Sequence, residues 1–221
     1  MTRIIYFIYF LYYVFKYFFS NTRRYLNIIF IIFLAKPKSI LEIGVYKGTR
    51  SEEMIKTSLI FNKKINYYGF DLFEKFYDNK SVLEDELSKK PLKKTTINKK
   101  LKHFCNTKLY KGFTRDTLKN FIKLKKKIDF VFIDGGHSKN TIKIDWEYVQ
   151  KILHNKSIVL FDDYYLDNKK LSKKFGCNFI YENKKYRKNY NMKLLPFTDC
   201  FKENKNKKCI KIMKVKKKWI N

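Results

Sequence analysis

The sequence predicts an α/β fold: a mostly parallel seven-stranded sheet with helices on both faces, a C-terminal antiparallel strand pair and an extra N-terminal apolar helix. Three observations lead to this prediction. Short apolar runs recur along the chain, and segments with helical periodicity separate them. Several of these runs end at a glycine or an acidic residue, as buried strands do where they leave a parallel sheet. The last two runs are separated by only ENKNKK, which suits an antiparallel pair.

The elements follow from these runs in chain order. The predicted strands are Ile40–Ile43, Tyr67–Phe70, Lys108–Lys111, Ile128–Ile133, Ser157–Phe161, 192–201 and 209–217. Helices are predicted after a turn from Gly44 to Gly48 with Ser51 as cap, at the capping box Ser81-x-x-Glu84, within 112–121, at Asp145–Leu153 and near 177–186. Residues 89–102 are expected to be a solvated loop or helix surface, and residues 165–176 a loop.

The prediction divides the chain into an N-terminal segment, residues 1–35, and an α/β domain, residues 36–221. Residues 4–19 read IIYFIYFLYYVFKYFF, which is shorter than the ~20 apolar residues that a membrane-spanning helix needs. A second apolar run, Tyr25–Ala35, is shorter still. Residues that carry a polar group (tyrosine, lysine and serine), here called polar-capable, recur at helical spacing on one side of the first run, and the other side is apolar. The polar-capable stripe is Tyr6, Tyr9, Tyr13, Lys16, Tyr17 and Ser20, and the apolar side is Ile4, Ile8, Leu11, Phe15, Phe18 and Phe19.

Two interpretations of this first helix stay open. Tyr and Lys favour the headgroup level of a bilayer, and Arg3, Arg23 and Arg24 flank the helix. Residues 1–20 are therefore expected to lie on an anionic membrane surface, which would make the protein cytoplasmic and peripheral on the cytoplasmic membrane face. The alternative is a helix that packs on the protein or on a second subunit. The sequence does not determine the oligomeric state.

The charge of +30 predicts attraction to anionic partners. Only six of the 50 basic residues are Arg, whereas nucleic-acid readers rely on Arg for forked contacts to phosphate and guanine. The bias towards Lys, Asn, Ile, Phe and Tyr is typical of an AT-rich coding sequence, so nucleic acid is not the expected partner. Four cysteines, Cys105, Cys177, Cys200 and Cys209, show no metal or disulfide spacing and are expected to be free thiols.

Two strand ends indicate a nucleoside-containing cofactor. The first strand leads into Glu42-x-Gly44-x-x-x-Gly48, and glycines there let a ligand approach the backbone closely. The second strand ends at Asp71, where a carboxylate can accept hydrogen bonds from both ribose hydroxyls. The alternatives are a tight turn and a helix cap. Tyr46 occupies the place of the second glycine in the dinucleotide fingerprint, which argues against NAD.

Two further strand ends indicate a metal site. Asp134 follows one strand, and the pair Asp162-Asp163 follows the next, so the three carboxylates are expected at one edge of the sheet. Grouped acids repel unless a cation lies among them, and an all-oxygen ligand set suits Mg²⁺. His137 lies three residues beyond Asp134, where it could act as general base. The alternative for His137 is a helix cap or a loop packing residue.

Five motifs in this order and spacing resemble the class I S-adenosylmethionine-dependent methyltransferases, which have a Rossmann-like fold. The motifs are ILEIGVYKG, YYGFDLFE, LYKGFTRDTL, FVFIDGGHSKNTIKIDW and IVLFDDY. Within that class they resemble the metal-dependent sugar O-methyltransferases of the macrocin and mycinamicin type, over residues 36 to 217.

The resemblance implies a role for each matching residue. It implies S-adenosylmethionine binding by Glu42, Gly44, Gly48, Asp71, Gly112 and Asp134. It implies Mg²⁺ binding by Asp134, Asp162 and Asp163, and it implies catalysis by Asp134 and His137. One departure concerns the run Asp-Gly-Gly-His, which has a single Asp before its glycine pair, where relatives with other spacing place a second Asp in the base role.

The function expected from the resemblance is methylation of a hydroxyl on a small-molecule acceptor such as a sugar or a lipid-linked sugar. Two alternatives stay open. One is an RNA methyltransferase, which the charge of +30 suggests and which would bind RNA even at moderate salt. The other is a non-catalytic, membrane-associated protein that kept the methyltransferase fold.

Overall fold

The structure is a computed structural model that describes residues 2–74, 90–166, 169–203 and 206–218. Seven strands form one sheet in the order β3-β2-β1-β4-β5-β7-β6. The strands are β1 Ser39–Ile43, β2 Asn66–Asp71, β3 Asn106–Lys111, β4 Ile128–Ile133, β5 Leu153–Leu166, β6 Tyr190–Glu203 and β7 Asn206–Lys217. Strands β1 to β5 pair in parallel, and β7 pairs antiparallel with both β5 and β6. The predicted sheet and its C-terminal antiparallel pair are confirmed.

Helices cover both faces of the sheet. They are α1 Thr2–Phe18, α2 Leu26–Ala35, α3 Thr49–Leu59, α4 Lys94–Leu101, α5 Thr114–Ile122, α6 Lys139–Ile152, α7 Lys169–Lys174, α8 Asn178–Glu182 and α9 Lys184–Asn189, with a 3-10 turn at Arg23–Tyr25 before α2. Residues of α2, α3 and α4 share one apolar core with the sheet, and residues of α5, α6 and α8 share the other. The predicted helix at Ser81–Glu84 lies outside the described residues.

Strand β4 shows why a continuous apolar run predicts a central strand. Successive side chains of a strand point to opposite faces. Phe130 and Phe132 therefore enter the core beneath α2 and α3, while Val131 and Ile133 enter the core beneath α5 and α6. All four are buried, and each fully buried apolar side chain of this size contributes about 1.5–3 kcal/mol.

Several element boundaries differ from the prediction. The N-cap of α3 is Gly48 rather than Ser51, because Gly48 adopts the left-handed φ of 67° that ends the preceding turn. Helix α6 begins before Asp145, where Ser138 Oγ accepts a hydrogen bond from the Thr141 N–H at 3.2 Å. The helical region near 177–186 is divided into α8 and α9 at Asn183, whose side chain caps α9.

Strand β5 is longer than the predicted Ser157–Phe161. It continues to Leu166 because β7 pairs with it beyond the point where β4 has ended. The register of β5 against β7 shifts between Phe161 and Tyr164. Asp162 and Asp163 therefore lie inside an irregular part of a strand rather than after its end, and the predicted loop 165–176 contains the end of β5 and helix α7.

The cysteine prediction was wrong for one pair. Cys200 on β6 and Cys209 on β7 lie directly opposite each other in the antiparallel register and form a disulfide. Sequence spacing did not reveal this pairing because it depends on the register of the two strands. Cys105 and Cys177 are free thiols, as predicted.

Helix α1 packs on α3 through its tyrosine stripe. Tyr13 and Tyr17 are 5% and 1% exposed. The Tyr17 hydroxyl donates to Glu53 at 2.7 Å, and Lys16 Nζ donates to the same carboxylate at 3.0 Å. The expectation that these residues face lipid headgroups was therefore wrong, because a carboxylate on α3 takes both as partners.

The side of α1 that faces solvent is the apolar one. The exposed residues on this side of α1 and directly after it include Ile4, Ile8, Leu11, Phe15, Phe18 and Phe19, each between 51% and 69% exposed. Among the described residues, no helix combines the length and the apolar character needed to cross a bilayer.

Glu42 on β1 is a fully buried carboxylate. Its Oε2 accepts hydrogen bonds from the Ser51 hydroxyl on α3 and the Tyr67 hydroxyl on β2. Its Oε1 has no hydrogen-bond partner in the described part of the chain. Burial raises the pKa of Glu42 to about 7. The hydrogen bonds from the two hydroxyls favour the charged carboxylate and so limit this rise. Glu42 therefore ties α3 to the sheet beneath the glycine turn.

This raised pKa predicts a pH-dependent stability. The folded state keeps the proton up to about pH 7, whereas the usual pKa is 4.5. Between these values the folded state binds more protons than the unfolded state, so its stability falls as pH rises through this window. The loss contributed by Glu42 is about 3 kcal/mol at most. We expect Glu42→Gln to remove this part of the pH dependence in urea unfolding from pH 4.5 to 8.

The control is Glu182→Gln, because Glu182 is an exposed carboxylate on α8. This control should leave the slope of unfolding free energy against pH unchanged. The interpretation is contradicted when wild type and Glu42→Gln show parallel curves.

Candidate functional site

The candidate site lies at the carboxyl edge of the sheet, where the strand order reverses. β1 and β4 are neighbours, with β2 and β3 on one side and β5 on the other. Connections from adjacent strands leave in opposite directions at such a point and open a crevice for ligands. The turn after β1, the end of β2 and the loop after β4 all meet at this crevice.

Gly44 allows two of these loops to touch. Its φ is 90°, and a Cβ atom there would lie 1.9 Å from the Asp134 carbonyl oxygen. The Asp134 N–H donates to the Ile43 carbonyl at 2.8 Å. Only glycine fits this contact, so the glycine turn and the Asp134 backbone form one surface.

Asp71 completes the cofactor side of the crevice. Its Oδ2 accepts from the Tyr46 N–H at 2.8 Å, and its Oδ1 accepts from the Phe73 N–H at 3.1 Å. Burial raises the pKa of Asp71, and these backbone donors oppose the shift. The Gly112 N–H donates to the Asp71 carbonyl at 3.0 Å. The structure therefore brings together the predicted cofactor residues at the ends of β2 and β3.

The other two predicted cofactor residues take different places. Gly48 begins α3 and lies against Ile97 of α4. Glu42 is buried beneath the turn, as described above, so its carboxylate does not line the crevice surface in this structure. Contact between either residue and a cofactor stays a prediction.

Asp134, His137 and Asp163 form a cluster on the other side of the crevice. Their potential ligand atoms lie within 4.8 Å of one another. His137 Nδ1 and Asp163 Oδ2 are 2.9 Å apart. His137 reaches this position because the loop after β4 turns back before α6, and the Gly176 N–H donates to the His137 carbonyl at 2.9 Å.

The three groups have perturbed pKa values. Burial and the neighbouring Asp162 and Asp163 charges raise the pKa of Asp134 well above its usual range. Burial alone would lower the pKa of His137, but the hydrogen bond to Asp163 and the charges of the neighbouring carboxylates together outweigh burial and raise the pKa to about 9. Burial would likewise raise the pKa of Asp163, and the His137 hydrogen bond and charge lower it instead. His137 is therefore an imidazolium paired with Asp163 at neutral pH.

Asp162 is engaged elsewhere. Both of its oxygens accept hydrogen bonds from Arg24, whose Nε lies 2.8 Å from Oδ1 and whose Nη2 lies 2.9 Å from Oδ2. The two adjacent residues of the irregular strand thus have different partners, because Asp162 binds Arg24 and Asp163 binds His137. The group of potential ligand atoms therefore contains Asp134 and Asp163 but not Asp162, which pairs with Arg24.

Sequence reasoning missed the arginines beside this site. Two guanidinium groups contact the Tyr25 ring, with Arg24 4.4 Å and Arg50 4.1 Å from its centroid. Arg50 in turn binds Glu53 and the Tyr17 hydroxyl. The rarity of Arg in a Lys-rich chain is the one sequence feature that could have drawn attention to Arg24 and Arg50, because Arg alone offers a planar fork.

Comparisons with known proteins identify the family and the fold. A family model described as a methyltransferase domain matches residues 41–164, which is more than half of the chain. The matched region starts in β1 and ends just after Asp163, so it contains the glycine turn, Asp71 and the Asp134–His137 loop. A search of curated proteins found no match.

Solved structures share the fold. An O-methyltransferase from Bacillus cereus in complex with SAH is 14% identical, with a TM-score of 0.53 over 85% of this chain and 77% of that one. An SAH-bound methyltransferase from Podospora anserina is 19% identical, with a TM-score of 0.54 over 87% and 78%. An rRNA methylase from Streptococcus thermophilus is 12% identical, with a TM-score of 0.51 over 84% and 92%.

These identities establish the fold and do not distinguish a small-molecule acceptor from RNA. The family assignment rests on the matched model, which covers the strands and loops that build the crevice. The chain therefore belongs to the methyltransferase-domain family, and its fold is that of the class I S-adenosylmethionine-dependent methyltransferases.

Proposed function

We propose that this methyltransferase uses S-adenosylmethionine to methylate a hydroxyl of a sugar or another small polar acceptor. The observation that carries this proposal is the His137–Asp163 pair beside Asp134, on the same crevice as the glycine turn. A histidine held by a carboxylate is a general base for a hydroxyl proton.

The crevice fits S-adenosylmethionine, which when bound supplies a methyl group on a positively charged sulfonium. The backbone of the glycine turn from Gly44 to Gly48 faces the crevice. The Asp71 carboxylate retains lone pairs beyond those that accept hydrogen bonds from the Tyr46 and Phe73 N–H groups. Asp71 would accept hydrogen bonds from the ribose hydroxyls. Asp71, Gly112 and the Asp134 backbone would then enclose the cofactor between β1, β2 and β3.

The cluster also fits a divalent cation, which when bound lowers the pKa of a hydroxyl that it coordinates. Asp134 and Asp163 would hold it, and their crowded negative charge is what a cation relieves. Two carboxylates with solvent or acceptor oxygens suit Mg²⁺ or Mn²⁺. The ligand set that we propose omits Asp162, because it does not belong to the group of potential ligand atoms and its carboxylate is paired with Arg24.

His137 would act as the base through Nε2, because Nδ1 faces Asp163. The Nε2 atom accepts the proton of the acceptor hydroxyl, and Asp163 stabilises the imidazolium that forms. The neutral ring is needed first, and the pKa of about 9 keeps His137 protonated at neutral pH. Positive charge near Asp163 would weaken that ion pair and lower the pKa of His137 towards the working range.

We expect methylation of a sugar acceptor, followed by mass spectrometry of the methyl ether, to require Mg²⁺ or Mn²⁺ and to stop in chelator. Asp134→Asn and Asp163→Asn should each lower kcat at least ~100-fold, as loss of base or cation positioning does. Both should bind SAH within a few-fold of wild type. Asp71→Asn should weaken SAH binding by about 1.5–3 kcal/mol in calorimetry, the contribution of a charge-assisted hydrogen bond.

Asp129→Asn is the matched control. Asp129 lies at the opposite end of β4 and also contacts a histidine, with His154 Nε2 2.9 Å from its Oδ1. This variant should keep both activity and SAH affinity. Full activity in chelator would exclude the cation, and wild-type activity of Asp163→Asn would exclude the His137–Asp163 pair as the base.

We also propose that α1 docks the protein on an anionic membrane surface through its exposed apolar side. Five large apolar residues on one side of α1, with Phe19 directly after it, form an exposed apolar patch, which is unfavourable in water. Arg3 and Arg23 are exposed near the two ends of the helix, where headgroups would lie. Such docking would place the crevice near acceptors carried on lipids, including lipid-linked sugars.

An anionic surface fits this patch better than a second copy of the chain does. Two copies would bring together chains that each carry a charge of +30, and that repulsion opposes association. The same charge attracts acidic lipid, by roughly 1 kcal/mol for each basic residue near the surface. Lys16 is not available for this attraction because Glu53 binds it.

We expect the protein to sediment with vesicles that contain phosphatidylserine, and the double variant Ile8→Glu, Phe15→Glu to remain in the supernatant. Both positions are more than half exposed, so the change should not disturb the contact between α1 and α3. Leu124→Glu is the control, because Leu124 is also more than half exposed but follows α5 on the other face of the sheet. It should sediment like wild type.

Analytical ultracentrifugation without lipid tests the competing occupant. A wild-type dimer that the double variant converts to a monomer, together with absence of vesicle binding, would assign the patch to a subunit interface. Sedimentation that does not change in the double variant would show that general positive charge, rather than α1, binds the vesicles.

A further inference from the structure

Arg24 joins the N-terminal segment to strands β5 and β6 beside the site. It lies in the 3-10 turn between α1 and α2 and is 8% exposed. In addition to the fork on Asp162, its Nη1 donates to Asp199 Oδ2, and its backbone N–H donates to Asp199 Oδ1 at 2.8 Å. One residue therefore engages all four oxygens of two buried carboxylates, one on β5 and one on β6.

The segment of β5 that Arg24 holds is irregular. Asp163 has a φ of 59°, in the left-handed region that side chains disfavour, and the β5–β7 register shifts around it. The Cys177 N–H donates to the Asp163 carbonyl at 3.1 Å, and Arg24 fixes the preceding side chain. The direction of the Asp163 carboxylate depends on how this short stretch is held from both sides.

We propose that Arg24 is a positioning residue for the active site. Its guanidinium fixes Asp162 and so aims the next carboxylate, Asp163, at His137 and Asp134. The same guanidinium separates the four carboxylates into two pairs. Arg24 neutralises Asp162 and Asp199 inside the protein, while Asp134 and Asp163 stay available at the crevice. This inference rests on the proposed role of His137 and Asp163.

The chemistry requires Arg rather than Lys at this position. Three nitrogens of a planar guanidinium donate in fixed directions, and Arg24 uses Nε and Nη2 on one carboxylate and Nη1 on another. An ammonium group offers a point charge without this fork. Arg23, the adjacent residue, is exposed and makes none of these contacts.

The experiment compares Arg24→Ala and Arg24→Lys with the matched control Arg23→Ala. The first readout is NMR of the His137 Nδ1–H resonance, which needs neither acceptor nor metal. This resonance should be shifted downfield by Asp163 in wild type and Arg23→Ala, and it should be lost in Arg24→Ala. The second readout is Mn²⁺ binding followed by EPR, where Arg24→Ala should weaken binding about 10-fold or more. SAH affinity should stay within a few-fold.

Addition of guanidinium chloride at low millimolar concentration tests the geometry directly. It should restore the Nδ1–H resonance and part of kcat in Arg24→Ala, whereas equal concentrations of sodium chloride should not. Arg24→Lys keeps the charge and guards against loss of folding; it should fold but give an intermediate Mn²⁺ affinity. Asp163→Asn should not respond to guanidinium.

Two outcomes overturn the proposal. One is an unchanged Nδ1–H resonance and Mn²⁺ affinity in Arg24→Ala with only a lower melting temperature, which would make Arg24 structural. The other is wild-type behaviour of Arg24→Lys in every readout. A wild-type protein that methylates no acceptor would contradict the proposed function instead, and the NMR comparison would still decide the role of Arg24.

Discussion

The ion pairs of Arg24 with Asp162 and Asp199 are the interaction on which the arrangement of the site depends. Burying each of these charges costs several kcal/mol of desolvation, which their mutual attraction offsets only because every carboxylate oxygen has a donor. The net stability gained is small, whereas loss of one partner would leave buried charges unpaired at a cost of about 3–5 kcal/mol. The pairs therefore act mainly by allowing one position of the N-terminal segment against β5 and β6.

The packing of helix α1 against α3 depends on a second buried charge. Glu53 on α3 is 3% exposed and needs donors, which Lys16, Tyr17 and Arg50 supply. A tyrosine buries its ring and hydrogen-bonds through its hydroxyl, so the same residue suits a headgroup layer or a buried carboxylate. The periodicity of residues 4–19 was sufficient to predict an amphipathic helix. It could not predict which side faces the protein, because that choice depends on Glu53, which lies 36 residues beyond Tyr17.

The same dependence on partners that are distant in the sequence limited the prediction of the site. Asp71 and Asp134 were placed correctly because each follows a local apolar run, and parallel strands end at one edge. The roles of Asp162 and Asp163 could not be separated, because adjacent strand residues point in different directions and the φ of Asp163 alters that direction further. The partner of Asp162 lies 138 residues away. The position of Glu42 was not predicted either, because the alternation of β1 turns its side chain beneath the glycine turn, towards α3.

One line of contacts connects the acidic edge to the exposed helix. Asp162 binds Arg24, whose guanidinium lies over Tyr25; Arg50 lies against the same ring and binds Glu53, which binds Tyr17 of α1. Each group in this line is buried or half-buried, and its partners satisfy it in one geometry. The orientation of α1 relative to the crevice is therefore fixed by side-chain chemistry rather than by a linker. A surface that binds the apolar side of α1 would fix the orientation of the crevice and its distance from that surface. An acceptor on that surface would therefore approach His137 from a single direction.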